Sequence, residues 1–330
     1  MRLALAAAAL LALPAAALAQ EAAEPPTPAS VIAAAPASEW RPIDPADLLV
    51  MDLAPDAAGK PRRVIVQLLP PPFSQGWVEN IRTLAKAHWW DGTSVYRVVD
   101  NWVAQWGDAD ETKPLPEGLR DVPESGYTVA LTDESDPEVL GALRDSFEAL
   151  TESRHYWSQG QGDWPRVGEY SDADGFFKGW PIASNEDEPL AWPVHCYAHV
   201  GVARDTETTG TGSELYAVIG HAPRQLDRNI AVVGRVIEGI EHLSTLPRGP
   251  AGTNGVYEDA ALRVPIVSVR LGNEVTDLPQ PRFEYLASES ESFAEYARVR
   301  ANRQDSFYKI PAGGIDVCNV QVPIRRVPSE

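Results

Sequence analysis

Strand-like segments dominate the hydrophobic pattern of this chain. Helical spacing predicts one helix from an N-cap at Ser74 to about Ala87 and a second helix over residues 236–246. The pattern therefore predicts a mainly β domain with two helices. Seven stretches combine alternating or β-branched apolar positions with flanking turn residues, as strands do; they are residues 62–69, 94–99, 102–105, 193–203, 214–219, 230–233 and 264–271.

The N-terminal part of the chain differs in composition from this domain. Arg2, an apolar run over residues 3–13 and an Ala-Leu-Ala cleavage motif at residues 17–19 predict a signal peptide over residues 1–19. We therefore expect an exported protein, periplasmic or secreted. The apolar run is too short to cross a bilayer, so no membrane span is expected after cleavage. Residues 20–58 are rich in Ala and Pro and are expected to form a linker and an N-terminal arm.

Two neighbouring strands place a cation, an aromatic ring and an amide close together. A tight turn at residues 100–101 joins the strand over residues 94–99 to the next one, which brings Arg97, Trp102 and Gln105 near one another. An arginine here can reach over an apolar pocket that has Trp102 as its floor. Taken alone, Arg97 on a strand is more often a surface residue, and Trp102 is more often a core residue.

The sequence around Arg97 and Trp102 favours a pocket over a surface role for the arginine and a core role for the tryptophan. Residues 91–108 resemble the signature of the cyclophilin family of peptidyl-prolyl isomerases, which runs Asp-Gly-Thr-x-Phe-His-Arg-Val-Ile-x-x-Phe-x-x-Gln-x-Gly-Asp. The arginine, the glutamine and the final Gly-Asp keep register with it, and Trp102 stands where the family has Phe. Residues 200–216 and 226–239 resemble two further family blocks in the same order. Three blocks in the order of the family are specific evidence for the resemblance, whereas any one block alone is weak evidence.

The resemblance implies a fold with extensions. A cyclophilin-like domain is an eight-stranded antiparallel β-barrel capped by two helices, and we expect it over residues 59–275. The connection after the signature is long for the family, so about residues 109–190 are expected to form an insertion on the barrel. Within it, Asp136 and Pro137 are expected to begin a helix.

The resemblance also implies a site, residue by residue. Arg97 matches the catalytic arginine of the family, and Gln105 matches the glutamine that hydrogen-bonds the substrate backbone. Twisting an Xaa-Pro amide requires neither a metal nor a cofactor, because a donor that faces the proline nitrogen binds the twisted amide more strongly than the planar one. The substrate-binding positions are Trp102, Val103, Ala203, Arg204, Glu214, Tyr216, Leu226 and Ile230.

Several of these positions depart from the family. A carboxylate at Glu214 is expected to pair with Arg97 and to compete with the substrate. The hydroxyl of Tyr216 and the ring of Trp102 are expected to narrow the proline pocket. We therefore expect a slower or more selective isomerase than a typical member. The departures are Glu214 for Gln, Tyr216 for Phe, Ile230 for His or Tyr, and Val103 for Met.

The tail of the chain lies outside the resemblance. Residues 276–330 are expected to pack on the barrel as a C-terminal extension, with a helix that begins at a capping box of Ser288 and Glu291. Alternation from Cys318 onward places its thiol on the apolar face of a strand. In an oxidising compartment a bridge from Cys318 to Cys196 is favoured, and the alternative is two separate buried thiols.

Charge and histidine placement exclude several classes of ligand. A formal net charge of -19 argues against a nucleic-acid partner or an anionic membrane, because both require basic patches. His195, Cys196 and His199 are close in sequence. On one strand the cysteine faces away from the two histidines, so a metal site is not expected there.

Two functions remain open at this point. Arg97 and Gln105 favour a peptidyl-prolyl cis-trans isomerase that assists the folding of exported proteins and takes Xaa-Pro-containing polypeptides as partners. The changes at Glu214 and Ile230 favour a non-catalytic cyclophilin-fold binding module, or a chaperone for proline-containing segments in the cell envelope. The resemblance implies a monomer in either case.

Overall fold

The computed structural model describes residues 24–131, 141, 170–185, 188–275 and 282–327. The helices in these ranges are α1 (Pro28–Ala34), α2 (Gln75–Lys86), α3 (Glu241–Ser244) and α4 (Glu291–Ala301). The strands in the same ranges are β1 (Trp40–Ile43), β2 (Leu48–Leu53), β3 (Arg62–Leu68), β4 (Ser94–Val98), β5 (Val103–Gly107), β6 (Val129–Ala130), β7 (Ala173–Phe177), β8 (Trp180–Asn185), β9 (Leu190–Pro193), β10 (His199–Val202), β11 (Leu215–Val218), β12 (Val232–Glu238), β13 (Val264–Leu271), β14 (Phe283–Leu286) and β15 (Ile324–Arg326).

Eight strands close into an antiparallel barrel, in the order β10-β11-β5-β4-β13-β2-β3-β12. This confirms the predicted fold class. The helix α2 packs its apolar stripe of Trp77, Ile81 and Leu84 into the barrel core, where all three side chains are fully buried. Ser74 is the N-cap of α2 as predicted, but its side chain makes no capping hydrogen bond.

The first strand of the barrel was missed in the sequence. β2 lies within the segment assigned to the linker and N-terminal arm, so the domain start at residue 59 is set too late. Its sequence, Leu-Leu-Val-Met-Asp-Leu, does not alternate, because both of its faces are covered. Leu49 and Met51 belong to the barrel core, whereas Leu48 packs outside the barrel against Phe283 of the tail.

Two other predicted elements are wrong in extent. The helix expected over residues 236–246 begins only at Glu241, because β12 continues to Glu238 in a ladder with β3 and β10 on its two sides. The strand expected over residues 193–203 is two strands, β9 and β10. β9 belongs to a second sheet, and the chain between them turns back to the barrel.

The insertion contributes the second sheet, which has the order β6-β9-β8-β7. Alternation along its strands divides its side chains between two cores. Phe177 and Ile182 join the barrel core, whereas Phe176 and Trp192 pack with residues of the tail. The sheet therefore lies between the barrel and the tail. The helix expected from Asp136 lies, apart from residue 141, outside the described residues, as does the predicted signal peptide.

The tail packs back on the molecule through a third sheet, of order β1-β14-β15, and through α4. The N-cap of α4 is Ser290, whose side chain accepts from the Phe293 amide, and not the predicted Ser288. Cys318 lies in a short 3₁₀ turn and not on the predicted strand. It forms a disulfide with Cys196, with the two Cα atoms 5.1 Å apart.

No helix within the described parts of the chain has the length and the apolar character that crossing a bilayer requires.

Candidate active site

A groove of about 790 Å³ runs along one face of the barrel. It is bounded by the β4–β5 hairpin, by β11, and by the loops that follow β10 and β11. Every site residue that the resemblance assigned lines this groove: Arg97, Gln105, Trp102, Val103, Ala203, Arg204, Glu214, Tyr216, Leu226 and Ile230.

A β-bulge in the β4–β5 hairpin shapes the polar side of the groove. Val95 pairs with Trp106 and Arg97 pairs with Gln105, so Tyr96 is an extra residue between the two pairs. Neighbours on a regular strand face opposite ways, and a bulge re-aims them. Tyr96 and Arg97 both line the groove for this reason.

Four side chains form a continuous line of hydrogen bonds on this side, which we call the groove chain: Arg97, Gln105, Tyr96 and Glu214. Arg97 Nη1 donates to Gln105 Oε1 at 2.9 Å, and Gln105 Nε2 donates to Tyr96 Oη at 2.5 Å. Tyr96 Oη then donates to Glu214 Oε2 at 2.8 Å. Each bond runs in the same direction, from the cation to the carboxylate, so the orientation of the Gln105 amide is fixed.

Burial shifts the pKa values of the groove chain. It raises the pKa of Glu214, although the hydrogen bonds from the Tyr96 hydroxyl and the Asp108 amide act in the opposite direction. Burial and the neighbouring Glu214 carboxylate raise the pKa of Tyr96, which stays protonated and remains a donor. Burial lowers the pKa of Arg97, but an arginine remains charged at neutral pH.

The apolar side of the groove is a compact pocket. Arg97 is placed over its edge, with Cζ 5.7 Å from the centroid of the Trp102 ring, and Nε donates to the Asn254 carbonyl at 2.9 Å. A cation with fixed orientation therefore stands beside an apolar cavity. The pocket residues pack as one cluster made of Val103, Tyr216 and Val218 with Val99, Trp102, Ala203, Leu226 and Ile230.

Comparison with known protein families identifies the domain that contains this groove. Residues 76–271, more than half of the chain, match the model of the cyclophilin type peptidyl-prolyl cis-trans isomerases. This chain belongs to the cyclophilin family. The three sequence blocks that carry the resemblance all lie within the matched residues.

One solved structure supports the fold of this cyclophilin, and a second is similar over part of the chain. The crystal structure of the cyclophilin AquaCyp293 from Hirschia baltica is similar with a TM-score of 0.57 and 19% sequence identity, over 93% of this chain and 99% of that one. A cyclophilin type peptidyl-prolyl cis-trans isomerase from Cryptosporidium parvum matches with a TM-score of 0.37 and 13% identity, over 71% of this chain and 99% of that one. No curated protein sequence matches the chain.

The departures at Glu214 and Tyr216 act differently from what the sequence suggested. Glu214 does not pair with Arg97; its two oxygens accept from the Tyr96 hydroxyl and, at 2.7 Å, from the Asp108 amide. The hydroxyl of Tyr216 does not enter the pocket either. It lies behind the pocket wall, 2.9 Å from Nε2 of His195, and the ring passes over Gly201, where a Cβ atom would lie 2.3 Å from the hydroxyl.

Two sets of residues at the site of this cyclophilin were not predicted from its sequence. One is Tyr96, which occupies the His position of the family signature and links Gln105 to Glu214. The other is a line of buried polar side chains behind the apolar pocket, which we call the buried chain: Tyr216, His195, Asp227, Arg224 and Asp174. A signal for it was present, since Asp227 directly follows the pocket residue Leu226.

The two histidines that were considered as metal ligands have separate partners. His195 bonds Asp227 and Tyr216, whereas His199 Nδ1 lies 2.5 Å from the carbonyl oxygen of Val194. Burial lowers the pKa of His199 to about 3, so its imidazole is neutral. His199 is therefore a satisfied core histidine.

Proposed function

We propose that this chain accelerates the cis-trans isomerisation of Xaa-Pro peptide bonds in the groove. The observation that carries the proposal is the placement of Arg97, which Gln105 and the Asn254 carbonyl hold at the edge of an apolar pocket. Family membership supports the same activity in general terms. The substrates proposed are Xaa-Pro segments of polypeptides.

The proposed mechanism requires only binding and a fixed donor. The proline ring enters the pocket between Trp102 and Tyr216, and the segment before it lies along Ala203 and Arg204. Rotation about the amide has a barrier of about 18–20 kcal/mol, because it breaks the resonance of the C–N bond. In the twisted amide the proline nitrogen becomes a better acceptor, so the arginine donor binds that state more strongly than the planar one.

Arg97 has more N–H donors than its contacts within the described residues use. A guanidinium carries five N–H groups. Within the described residues, Nε is bonded to Asn254 and Nη1 to Gln105, which leaves Nη2 for the substrate. Because the line of bonds fixes the guanidinium before the substrate arrives, little reorganisation is needed in the twisted state.

A non-catalytic binding module is the second candidate. Both ends of the Gln105 amide are already bonded inside the groove chain, to Arg97 and to Tyr96. A peptide backbone must then share Gln105 with these partners. Such a site holds a proline segment without lowering the barrier if the shared bonds draw the arginine away from the proline nitrogen.

Export of the protein to the periplasm or the medium is part of the proposal. The disulfide between Cys196 and Cys318 supports it, because disulfides persist in oxidising compartments. The predicted signal peptide over residues 1–19 supports the same location. There the protein would act as a monomer on the proline segments of exported proteins.

An exchange assay on a short Xaa-Pro peptide tests the function. We expect acceleration by the wild-type protein, and a loss of about 10²- to 10³-fold in kcat/KM for Arg97→Ala with an unchanged fold. Arg298→Ala is the matched control, because it removes an exposed arginine of α4 that is paired with Glu295. A folded wild-type protein that binds the peptide without accelerating exchange would establish the binding module instead.

A further inference from the structure

The hydroxyl of Tyr216 connects the proline pocket to the buried chain. The ring forms one wall of the pocket, yet the residue is only 4% exposed and its hydroxyl lies 2.9 Å from Nε2 of His195. A phenylalanine would fill the same wall without a polar atom. The buried hydroxyl therefore requires the histidine as its partner.

Asp227 fixes the histidine. One of its carboxylate oxygens, Oδ1, lies 2.8 Å from Nδ1 of His195 and accepts from the backbone amide of the same residue at 2.9 Å. This acceptor favours the tautomer that carries a proton on Nδ1, and in that tautomer Nε2 accepts from the Tyr216 hydroxyl. His195 is 0% exposed, and its ring lies nearly parallel to that of Tyr216, with an interplanar angle of 12°.

The buried chain continues from Asp227 into the insertion. The second carboxylate oxygen accepts from Arg224 Nε at 2.7 Å, and Arg224 Nη2 reaches Asp174 of β7 at 3.2 Å. Asp174 also accepts from the Ser171 hydroxyl at 2.6 Å. The carboxylates and the guanidinium are 5–7% exposed, so every charge in this line is paired within the protein.

The backbone around the histidine is also held in place. Cys196, the next residue, is bonded to Cys318 of the tail, and the Sγ atom of Cys318 lies 3.7 Å from the His195 carbonyl oxygen. On the other side of the line, Leu226 precedes Asp227 and forms part of the proline pocket. Two walls of the pocket, Tyr216 and Leu226, are thus attached to the same buried pair.

We propose that His195 is a positioning residue for the proline pocket. Its hydrogen bond holds the Tyr216 ring at the pocket wall, and Asp227 orients the imidazole for that bond. A movement of the ring toward or away from the proline breaks a hydrogen bond between buried groups, and leaving such groups unpaired is costly. This inference rests on the proposed function of the groove. It implies that the buried chain increases the affinity of the pocket for the proline ring, because it fixes the position of the Tyr216 wall.

Two substitutions of His195 distinguish the effect of its hydrogen bond to Asp227 from the effect of its hydrogen bond to Tyr216. The amide nitrogen of His195→Asn replaces Nδ1 and keeps the bond to Asp227, but it does not reach the Tyr216 hydroxyl. The longer side chain of His195→Gln places its amide oxygen near the former Nε2, where it accepts from the Tyr216 hydroxyl and restores that contact. Tyr216→Phe removes only the hydroxyl and is the third member of the set.

The measurement is the Kd of a short Xaa-Pro peptide, with the exchange rate of the bound peptide measured separately by NMR. We expect His195→Asn and Tyr216→Phe each to raise Kd by about 3- to 10-fold, the range of one hydrogen bond. The double variant is expected to bind no worse than either single variant, and His195→Gln to bind more tightly than His195→Asn. The exchange rate of the bound peptide is expected to stay unchanged in the two His195 variants, because Arg97 is not altered and His195 does not line the groove.

A second readout does not depend on the substrate. The ring-flip rate of Tyr216 in the free protein, measured by NMR with labelled tyrosine, is expected to rise in His195→Asn and to stay near the wild-type value in His195→Gln. An unchanged Kd and flip rate in a folded His195→Asn protein would overturn the positioning role, whatever the wild-type activity. If the wild type does not accelerate exchange, the proposed function fails, and the flip rate alone decides the role of His195. If His195→Asn does not fold, Tyr216→Phe supplies the Kd, and the flip rate of the ring at position 216 is then measured with labelled phenylalanine.

Discussion

The groove chain and the buried chain approach the proline pocket from opposite sides, and they differ in how their polar groups are satisfied. The groove chain has one cation and one carboxylate, at its two ends, with neutral groups between them. Its members are only partly buried, and its arginine retains donors. The buried chain pairs two carboxylates with a guanidinium and an imidazole, and all of its members are less than 10% exposed.

Because of this difference, the groove chain can bind a substrate, whereas the buried chain makes the pocket rigid. A line of groups that is partly exposed and incompletely bonded can offer a donor to a substrate. A line that is buried and fully paired can offer none, but it fixes the side chains attached to it, because breaking one bond leaves a buried polar or charged group without its partner. We therefore expect substitutions in the groove chain to change turnover, and substitutions in the buried chain to change stability and pocket shape.

The largest effect is expected on the free energy of unfolding when one carboxylate of each chain, Asp227 or Glu214, is replaced by the corresponding amide. Asp227→Asn leaves Arg224 and His195 facing a neutral group in the interior, so we expect a loss of about 3–5 kcal/mol in the free energy of unfolding. Glu214→Gln alters a partly exposed site and is expected to cost about 1 kcal/mol or less. Urea unfolding of the two variants gives both values. Similar losses of unfolding free energy in the two variants would contradict the difference between the buried chain and the groove chain.

Removing the disulfide tests how far the buried chain depends on the tail. The cysteines are 122 residues apart, so replacing both in Cys196→Ser/Cys318→Ser is expected to lower the free energy of unfolding by about 2–4 kcal/mol. The hydrogen bonds around Arg97 lie on the other side of the pocket. The exchange rate of bound peptide should therefore stay within about twofold of wild type, a difference under about 0.5 kcal/mol. Reduction of the wild-type protein should reproduce both results.

A change of one atom in the groove chain should affect turnover and leave stability nearly intact. Gln105→Glu gives Arg97 a carboxylate partner and removes the donor to Tyr96. A charge-assisted bond is worth about 1.5–3 kcal/mol, so we expect kcat/KM to fall about 10- to 100-fold as the arginine is withdrawn from the substrate.

Gln225→Glu is the control for this change. It adds the same charge at an exposed position beside the pocket residue Leu226. Equal losses in the two variants would assign the effect to net charge near the groove, and not to the bond with Arg97.

The barrel and the groove residues followed from the sequence because their signals are local. Arg97 and Gln105 are eight residues apart on a hairpin, so register alone brings them together. β2 was missed because a strand covered on both faces loses the alternation that reveals it. The helix α3 was placed too early because Val236 and Ile237 suit a helix as well as a strand, and the pairing with β3 decides between them.

The buried chain was not predictable in the same way. His195 and Asp227 are 32 residues apart, and Arg224 and Asp174 are 50 apart. Neither pair lies in one motif, and the fold alone brings each pair into contact. His195 lies in the break between β9 and β10 and not on a strand, so the alternation of strand faces does not apply to it.

The smallest effect expected is one of pH, because the two carboxylates are shifted in opposite directions. Burial raises the pKa of Glu214 above its usual 4.5. Its contribution therefore favours the folded state below that value and is lost as the pH rises through the folded pKa. For Asp227, burial alone would raise the pKa, but the bonds from His195 and the charge of Arg224 hold it below its usual 3.8. That contribution is complete above 3.8 and is lost as the pH falls through the lower folded value.

Unfolding free energies between about pH 3 and pH 7 separate the two carboxylates. Relative to wild type, Glu214→Gln should become progressively more stable as the pH rises past the usual pKa of a glutamate. The cost of Asp227→Asn should be constant near neutral pH and should shrink only toward the acid end of the range. Parallel curves for the two variants would mean that both carboxylates experience the same balance of burial and hydrogen bonding. The contrast between a groove that keeps a donor free and an interior that keeps every charge paired would then be wrong.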